Sequence, residues 1–257
     1  NISQLKSDRN TFRRKYYPTL ALSFVSALFI IINVSLFAFS QFSIFKNQEL
    51  DTKALTTFVV DTTADDADFS PGDGFCDTDD SVGDGPCTLR AAIEEANLLA
   101  GTDNIHFNIP GTAPFEILAS SLLPTITSTI NIDGMTQGGD CTTIAFSAPV
   151  AIISADPLSY NTKLIFSTGS ENSTLKGMKF ESAYVNIENT SDITVTCNWF
   201  EGTTTDERDN LYIVNSSDIM VGGVNWVDNY RNYFFNATRH GINIENSNSV
   251  SVLGNSI

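Results

Sequence analysis

The apolar positions of this chain change period twice. Residues 20–39, LALSFVSALFIIINVSLFAF, are apolar on every side and show no amphipathic stripe. Leu89, Ala92, Ile93, Ala96 and Leu99 then recur at helical spacing and predict one short amphipathic helix. Thr88 stands where a cap for its start is needed, and Gly101 where a stop is needed. Glu94, Glu95 and Asn97 fall off the apolar face, which is narrow and Ala-rich, so the helix must approach its partner closely. FVVDTT (58–63) before the helix reads as a first strand. After Gly101 the period becomes two. Ile105, Phe107 and Ile109 share one side, as do Ile126, Ile130 and Ile132, and TTIAFSAPVAIISA and TKLIFSTG continue in the same vein.

A repeat then emerges. YVNIENTSDITVTCNWF, LYIVNSSDIMVGGVN and GINIENSNSVSVLGNSI each place a short alternating strand, an Asn-Ser/Thr turn and a second short strand in that order. Ile187, Ile213 and Ile244 correspond, as do Asn189, Asn215 and Asn246, at intervals of 26 and 31 residues. The longer interval holds an aromatic insertion, WVDNYRNYFFNATRH. Strands of about four residues cannot bury a face alone, so the units must stack as a solenoid. Leucine-rich spacing is absent, and a sandwich would not require the units to resemble one another. Asn at a corresponding turn position can form a ladder along the stack. A stack has an open end that would pair with other chains, and the amphipathic helix ahead of the first unit can lie across it as a lid.

Composition changes the picture in two ways. A basic segment, RRKYYP, precedes the apolar run, and Ala38 and Ser40 follow it as small residues two apart. Residues 1–40 therefore read as a signal peptide cleaved after Ser40, with an uncleaved anchor as the competing reading, and 41–57 as a polar linker. Beyond residue 40 there are nine basic against 29 acidic side chains. Such a surface repels nucleic acid, and membrane contact is expected only through the N-terminal segment.

Export permits disulfides among Cys76, Cys87, Cys141 and Cys197. Cys76 with Cys87 closes a short loop and is the favoured pair; Cys141 with Cys197 would then follow, although four cysteines allow three pairings. No spacing supports zinc. Nine aspartates and no Lys or Arg lie between Asp61 and Asp84. Among them Asp73, Asp77, Asp79, Asp80 and Asp84 are candidate Ca²⁺ ligands, being hard oxygens at short intervals, but they lack EF-hand spacing. The alternative is a solvated acidic loop pinned by a disulfide.

CTLRAAIEEAN resembles the signature of the CSLREA domain, found in exported bacterial and archaeal proteins ahead of right-handed parallel β-helix repeats. The flanks FVVDTTADDAD, GDGFCDTDDSVGDGPC, DNIHFNIPG and ITSTINIDG agree with it. The resemblance spans 58–139, and 140–257 reads as β-helix repeats with further coils expected beyond Ile257. It implies an all-β fold: a right-handed parallel β-helix with an N-terminal capping helix built on Thr88, Leu89, Arg90, Ile93, Ala96 and Asn97. Thr88 keeps the capping hydroxyl. Ala91 replaces the signature Glu and loses the return bond of a capping box, at a cost of about 0.5–1 kcal/mol. Arg90 reads as structural, bonding a carbonyl or Asp. The signature carries no activity to transfer.

Two functions remain in view. The first is a secreted or cell-surface scaffold for binding or adhesion to a polysaccharide or other surface ligand. The second is a polysaccharide lyase or glycoside hydrolase, for which Asp206, Glu207, Arg208 and Asp209 are the candidate catalytic residues, with Arg239-His240-Gly241 as a further hint. Trp199, Trp226, Tyr230, Tyr233, Phe234 and Phe235 could stack on sugar rings or fill the core. Asn172, Asn189, Asn215 and Asn236 lie in N-x-S/T sequons, which turn chemistry explains.

Overall fold

The computed structural model describes residues 55–139, 141, 150–154, 163–202, 208–223 and 230–257. The apolar run, Asp206, Glu207 and Trp226 lie outside these residues. Among the described residues no helix is long and apolar enough to cross a membrane.

Among the described residues the fold is all-β apart from one α-helix and a 3-10 turn, and every strand pairing within the three sheets is parallel. The seven-stranded sheet contains, in spatial order, β1 (Thr56–Val60), β2 (Thr102–Phe107), β4 (Thr129–Asp133), β7 (Thr174–Lys176), β10 (Thr194–Thr196), β13 (Met220–Gly222) and β16 (Ser251–Leu253). The five-stranded sheet runs β3 (Phe115–Ala119), β5 (Val150–Ser154), β8 (Met178–Glu181), β11 (Trp199–Glu201) and β14 (Tyr233–Phe235). The four-stranded sheet runs β6 (Lys163–Phe166), β9 (Tyr184–Glu188), β12 (Asp209–Val214) and β15 (His240–Glu245). From β7 onward the chain visits the three sheets in rotation, one strand in each, and returns beside its own previous pass.

Register follows the apolar residues. Ile213 pairs with Ile187 on one side and Ile244 on the other. Phe200 pairs with Phe180 and Phe234, and Val195 with Leu175 and Val221. Up to the last turn of the chain each strand thus buries the same position on the same position of its neighbour, while the matching Ile244 and Val252 of β15 and β16 are exposed; a slip of one residue would turn the buried side chains outward. The corners explain the Asn-rich turns. Asn189, Asn215 and Asn246 all take positive φ (55°, 50° and 47°), as do Asp192, Asp218 and Ser249 three residues later. Asn and Asp tolerate this left-handed conformation better than other side chains do. Asn172 and Asn236 of the remaining sequons also have positive φ.

The helix α1 (Leu89–Leu98) packs on β1 and β2, burying Leu89, Ala91, Ala92, Ile93 and Ala96 in one core with Phe58, Val60 and Ile105. Two boundaries differ from the sequence reading. β1 begins at Thr56, within the segment read as linker, and ends at Val60, because Asp61 turns aside to exchange hydrogen bonds with the Cys87 backbone. The helix ends at Leu98 rather than at Gly101: Leu99 is already extended, and its N–H closes the last turn on the Glu95 carbonyl at 3.2 Å. Gly101, at φ 141°, serves the turn into β2 instead.

Candidate functional site

The acidic loop and the helix form one hydrogen-bonded unit. Cys76 is bonded to Cys87 and Cys141 to Cys197. Thr88 Oγ1 accepts the Ala91 N–H at 3.0 Å and donates to the Asp66 carbonyl at 2.7 Å. Arg90 donates to both carboxylate oxygens of Asp65 and to the Leu122 carbonyl, so one buried guanidinium ties three segments together. Asn97 clamps the 125–127 backbone through both ends of its amide.

The two glutamates are less ordinary than their helical positions implied. Glu95 is fully buried and accepts the N–H groups of Gly72 and Gly74, while Glu94 accepts that of Asp68 at 2.7 Å. Asp68 is itself buried, and its Oδ2 takes no hydrogen bond among the described residues. Burial pushes its carboxyl up to about 6, opposed by the Ser70 N–H and reinforced by Glu95, Asp73 and Glu94. Asp103, fully buried on β2, is raised by the same cause.

The five candidate Ca²⁺ ligands are not brought together. Asp73 Oδ1 accepts the Phe75 N–H at 3.0 Å, Asp79 Oδ1 that of Ser81 at 2.9 Å, and Asp77 Oδ2 that of Gly83. Asp80 and Asp84 face solvent. Asp73 and Asp79 each close a tight turn two residues on, whereas Asp77 reaches across the loop to Gly83. Among the described residues no three Asp, Glu, His or Cys side chains converge as a metal ion would require.

The aromatics divide by strand face. Phe180, Phe200 and Phe234 point inward and stack with centroids 5.2 and 4.7 Å apart. Trp199, Tyr233 and Phe235 lie on the outer face of the same two strands, β11 and β14. Trp199 stacks on Phe235 at 4.6 Å and on Tyr233 at 5.7 Å. Beside this ledge, Lys179 Nζ lies 2.7 Å from Glu181 and 3.1 Å from Glu201, one cation between two carboxylates. Burial pulls the lysine down, but its bonds to Glu181 and Glu201 outweigh that and hold its ammonium above the usual lysine range.

On the outer face of the four-stranded sheet the structure unites two sequence features about 30 residues apart. Asp209 pairs in register with His240, and its Oδ1 lies 2.7 Å from His240 Nδ1. Its Oδ2 accepts from Asn243 at 2.8 Å, with Arg239 at 3.7 Å. Asn243 also donates to Glu245 Oε1 at 3.2 Å, and Tyr212 donates to Glu245 Oε2 at 2.9 Å. That bond to Glu245 keeps the phenol of Tyr212 protonated past its usual range. Arg208 sits 4.9 Å over the Tyr184 ring. Asp209, Tyr212, Arg239, Glu245, Arg208 and Tyr184, with Lys163 and Asn186, line a cleft of about 340 Å³. A second, wholly polar trough of about 530 Å³ follows the Asn189–Asn215–Asn246 corner and continues over Ser191, Ser217 and Asn248.

Sequence reading missed a second asparagine ladder, inside the molecule. Asn198 and Asn232 are fully buried. Asn198 Nδ2 donates to the Leu175 and Thr196 carbonyls at 2.9 Å, and its Oδ1 accepts from Met178 at 3.0 Å. Asn232 Oδ1 accepts the Asn198 N–H at 2.9 Å, and Asn255 Oδ1 accepts from Asn232 Nδ2 at 2.9 Å. The signal was present: Asn precedes each inner strand in NWF, NYF and NSI.

Comparison with protein-family models, with curated proteins and with solved structures returns no match.

Proposed function

We propose that the protein is an exported right-handed parallel β-helix, closed at its N-terminal end by a CSLREA-type helix, that acts as a glycan-binding scaffold in the secreted or cell-surface space. The rotation of the chain through three parallel sheets, with like residues in register, supports the solenoid reading. Two disulfides support an oxidising compartment. The contacts of α1 with β1 and β2 support its role as a lid.

The observation that carries the binding reading is the outward stack of Trp199, Tyr233 and Phe235 beside Glu181 and Glu201. A sugar ring offers an apolar face of C–H groups and a rim of hydroxyls. Flat aromatic surface meets the first and carboxylates accept from the second. Binding is favoured over hydrolysis at this ledge because both carboxylates are engaged by one cation, Lys179, beside the aromatic stack.

A lyase or hydrolase is the second reading, and the Asp209–His240 contact favours it, since a carboxylate that orients an imidazole is a recurring way to build a base. One experiment separates the two: retention of the full chain on a panel of insoluble polysaccharides, with soluble products assayed in the same tubes. The scaffold reading expects retention without product and a loss of about tenfold in affinity for Trp199→Ala. Product formation abolished by Asp209→Asn would replace it with the enzyme reading.

A further inference from the structure

The cleft on the four-stranded sheet differs in charge from the rest of the molecule. Beyond residue 40 the chain has nine basic side chains against 29 acidic ones, yet Lys163, Arg208 and Arg239 all line this one cleft. The two carboxylates there are already occupied. Asp209, with its side chain 8% exposed, accepts from Asn243 and is held between His240 and Arg239, and Glu245 accepts from Tyr212 and Asn243. Asn243 bridges the two acids, so they form a fixed brace rather than a surface waiting for a donor. The side chain of Arg239 is 52% exposed and 3.7 Å from its carboxylate, a loose contact that leaves donors directed outward.

We propose that this cleft is an acid-reading subsite, in which Lys163, Arg208 and Arg239 receive the anionic substituent of a charged glycan, a carboxylate or a sulfate ester. Its volume of about 340 Å³ suits one or two sugar residues. A planar carboxylate or a sulfate matches guanidinium geometry, and charge-assisted bonds of this kind are about twice as strong as neutral ones. Tyr212, held protonated by Glu245, fixes that acid in the brace and does not compete for the anion. The inference rests on the glycan-binding reading but uses a different face from the aromatic ledge, so the two can fail separately.

The test is calorimetric titration of the full chain with polygalacturonate, its methyl-esterified form, dextran sulfate and an uncharged glucan, each at low and high salt. The expected result is binding of polygalacturonate or dextran sulfate, weakened by salt, and reduced about tenfold by Arg239→Gln and by Lys163→Gln with unchanged melting temperature. Polygalacturonate alone would identify the carboxylate as the group read, and dextran sulfate alone the sulfate. Equal affinity for the acid and its methyl ester, or retained affinity in both variants, overturns the inference. Binding of the uncharged glucan that is lost only in Trp199→Ala would overturn it while leaving the glycan-binding reading standing. Failure of every polymer would overturn both.

Discussion

Trp199 and Phe200 are neighbours on a strand of three residues, and each belongs to an aromatic stack. Phe200 is fully buried between Phe180 and Phe234. Trp199, one peptide away, lies half-buried on the outer face against Tyr233 and Phe235. The chemistry of the two stacks is the same and their environment is not. Inside, a ring displaces no water in the folded state, and everything it contributes goes to stability. Outside, the stack keeps open area beside charged groups, where it can serve a ligand. The same division separates the two asparagine ladders: Asn198 and Asn232 satisfy buried backbone groups, whereas Asn189, Asn215 and Asn246 turn corners in solvent. Residue type therefore does not tell a buried group from an exposed one in this molecule; the face of the strand does.

The largest effect should come from Phe200→Ala. Removing a buried ring from the middle of a stack costs about 3–5 kcal/mol, read from urea unfolding. Trp199→Ala should cost less, under about 1.5 kcal/mol in the same experiment, because the ring lies on the outer face and stays partly in contact with water. Next comes the asparagine pair. Asn198→Ala leaves the Met178 N–H and the Leu175 and Thr196 carbonyls without their partner and should cost about 1–3 kcal/mol. Asn215→Ala loses one exposed side-chain bond, to Asn189 Oδ1 at 3.3 Å, and the ease of a positive φ, and should stay near 1 kcal/mol. Equal losses for the two would erase the distinction between the ladders.

The smallest effect concerns the acidic loop beside α1. Asp68 is raised to about 6, above its unfolded value, so the native state binds its proton more tightly than the unfolded chain does. Its contribution to stability is therefore fully present below about pH 4 and is lost as the pH rises through 6. Amide protection factors of Ser70, Gly72 and Gly74 should be higher at pH 5 than at pH 7.5. Protection that rises with pH would mean that Asp68 has a cationic partner.

Much of this architecture is legible in the chain. Period two from Gly101 onward, and the alignment of Ile187, Ile213 and Ile244, place strands on strands without further information. The interval of 31 residues that aligns Ile213 with Ile244 also aligns Asp209 with His240, so the heart of the cleft could have been read from the repeat itself. Other features were hidden for physical reasons. Phe180, Phe200 and Phe234 are separated by 20 and 34 residues, because loops of unequal length intervene, and no fixed interval exposes the inner stack. A lone Asn before an aromatic strand looks like turn chemistry, since nothing local says that its amide points inward. Glu95 looks solvated from its helical position, yet it is buried because the glycines of the acidic loop bring their N–H groups to it.

The most direct test of the account is to measure melting temperature and polysaccharide retention together for Trp199→Ala and Phe200→Ala. Retention lost with the melting temperature kept for Trp199→Ala, and the melting temperature lowered for Phe200→Ala with retention kept at temperatures where it is folded, is the predicted crossing. A Trp199→Ala protein that melts as low as Phe200→Ala, or that binds polysaccharide as well as the unaltered chain, would show that the outer stack is core and not a binding surface.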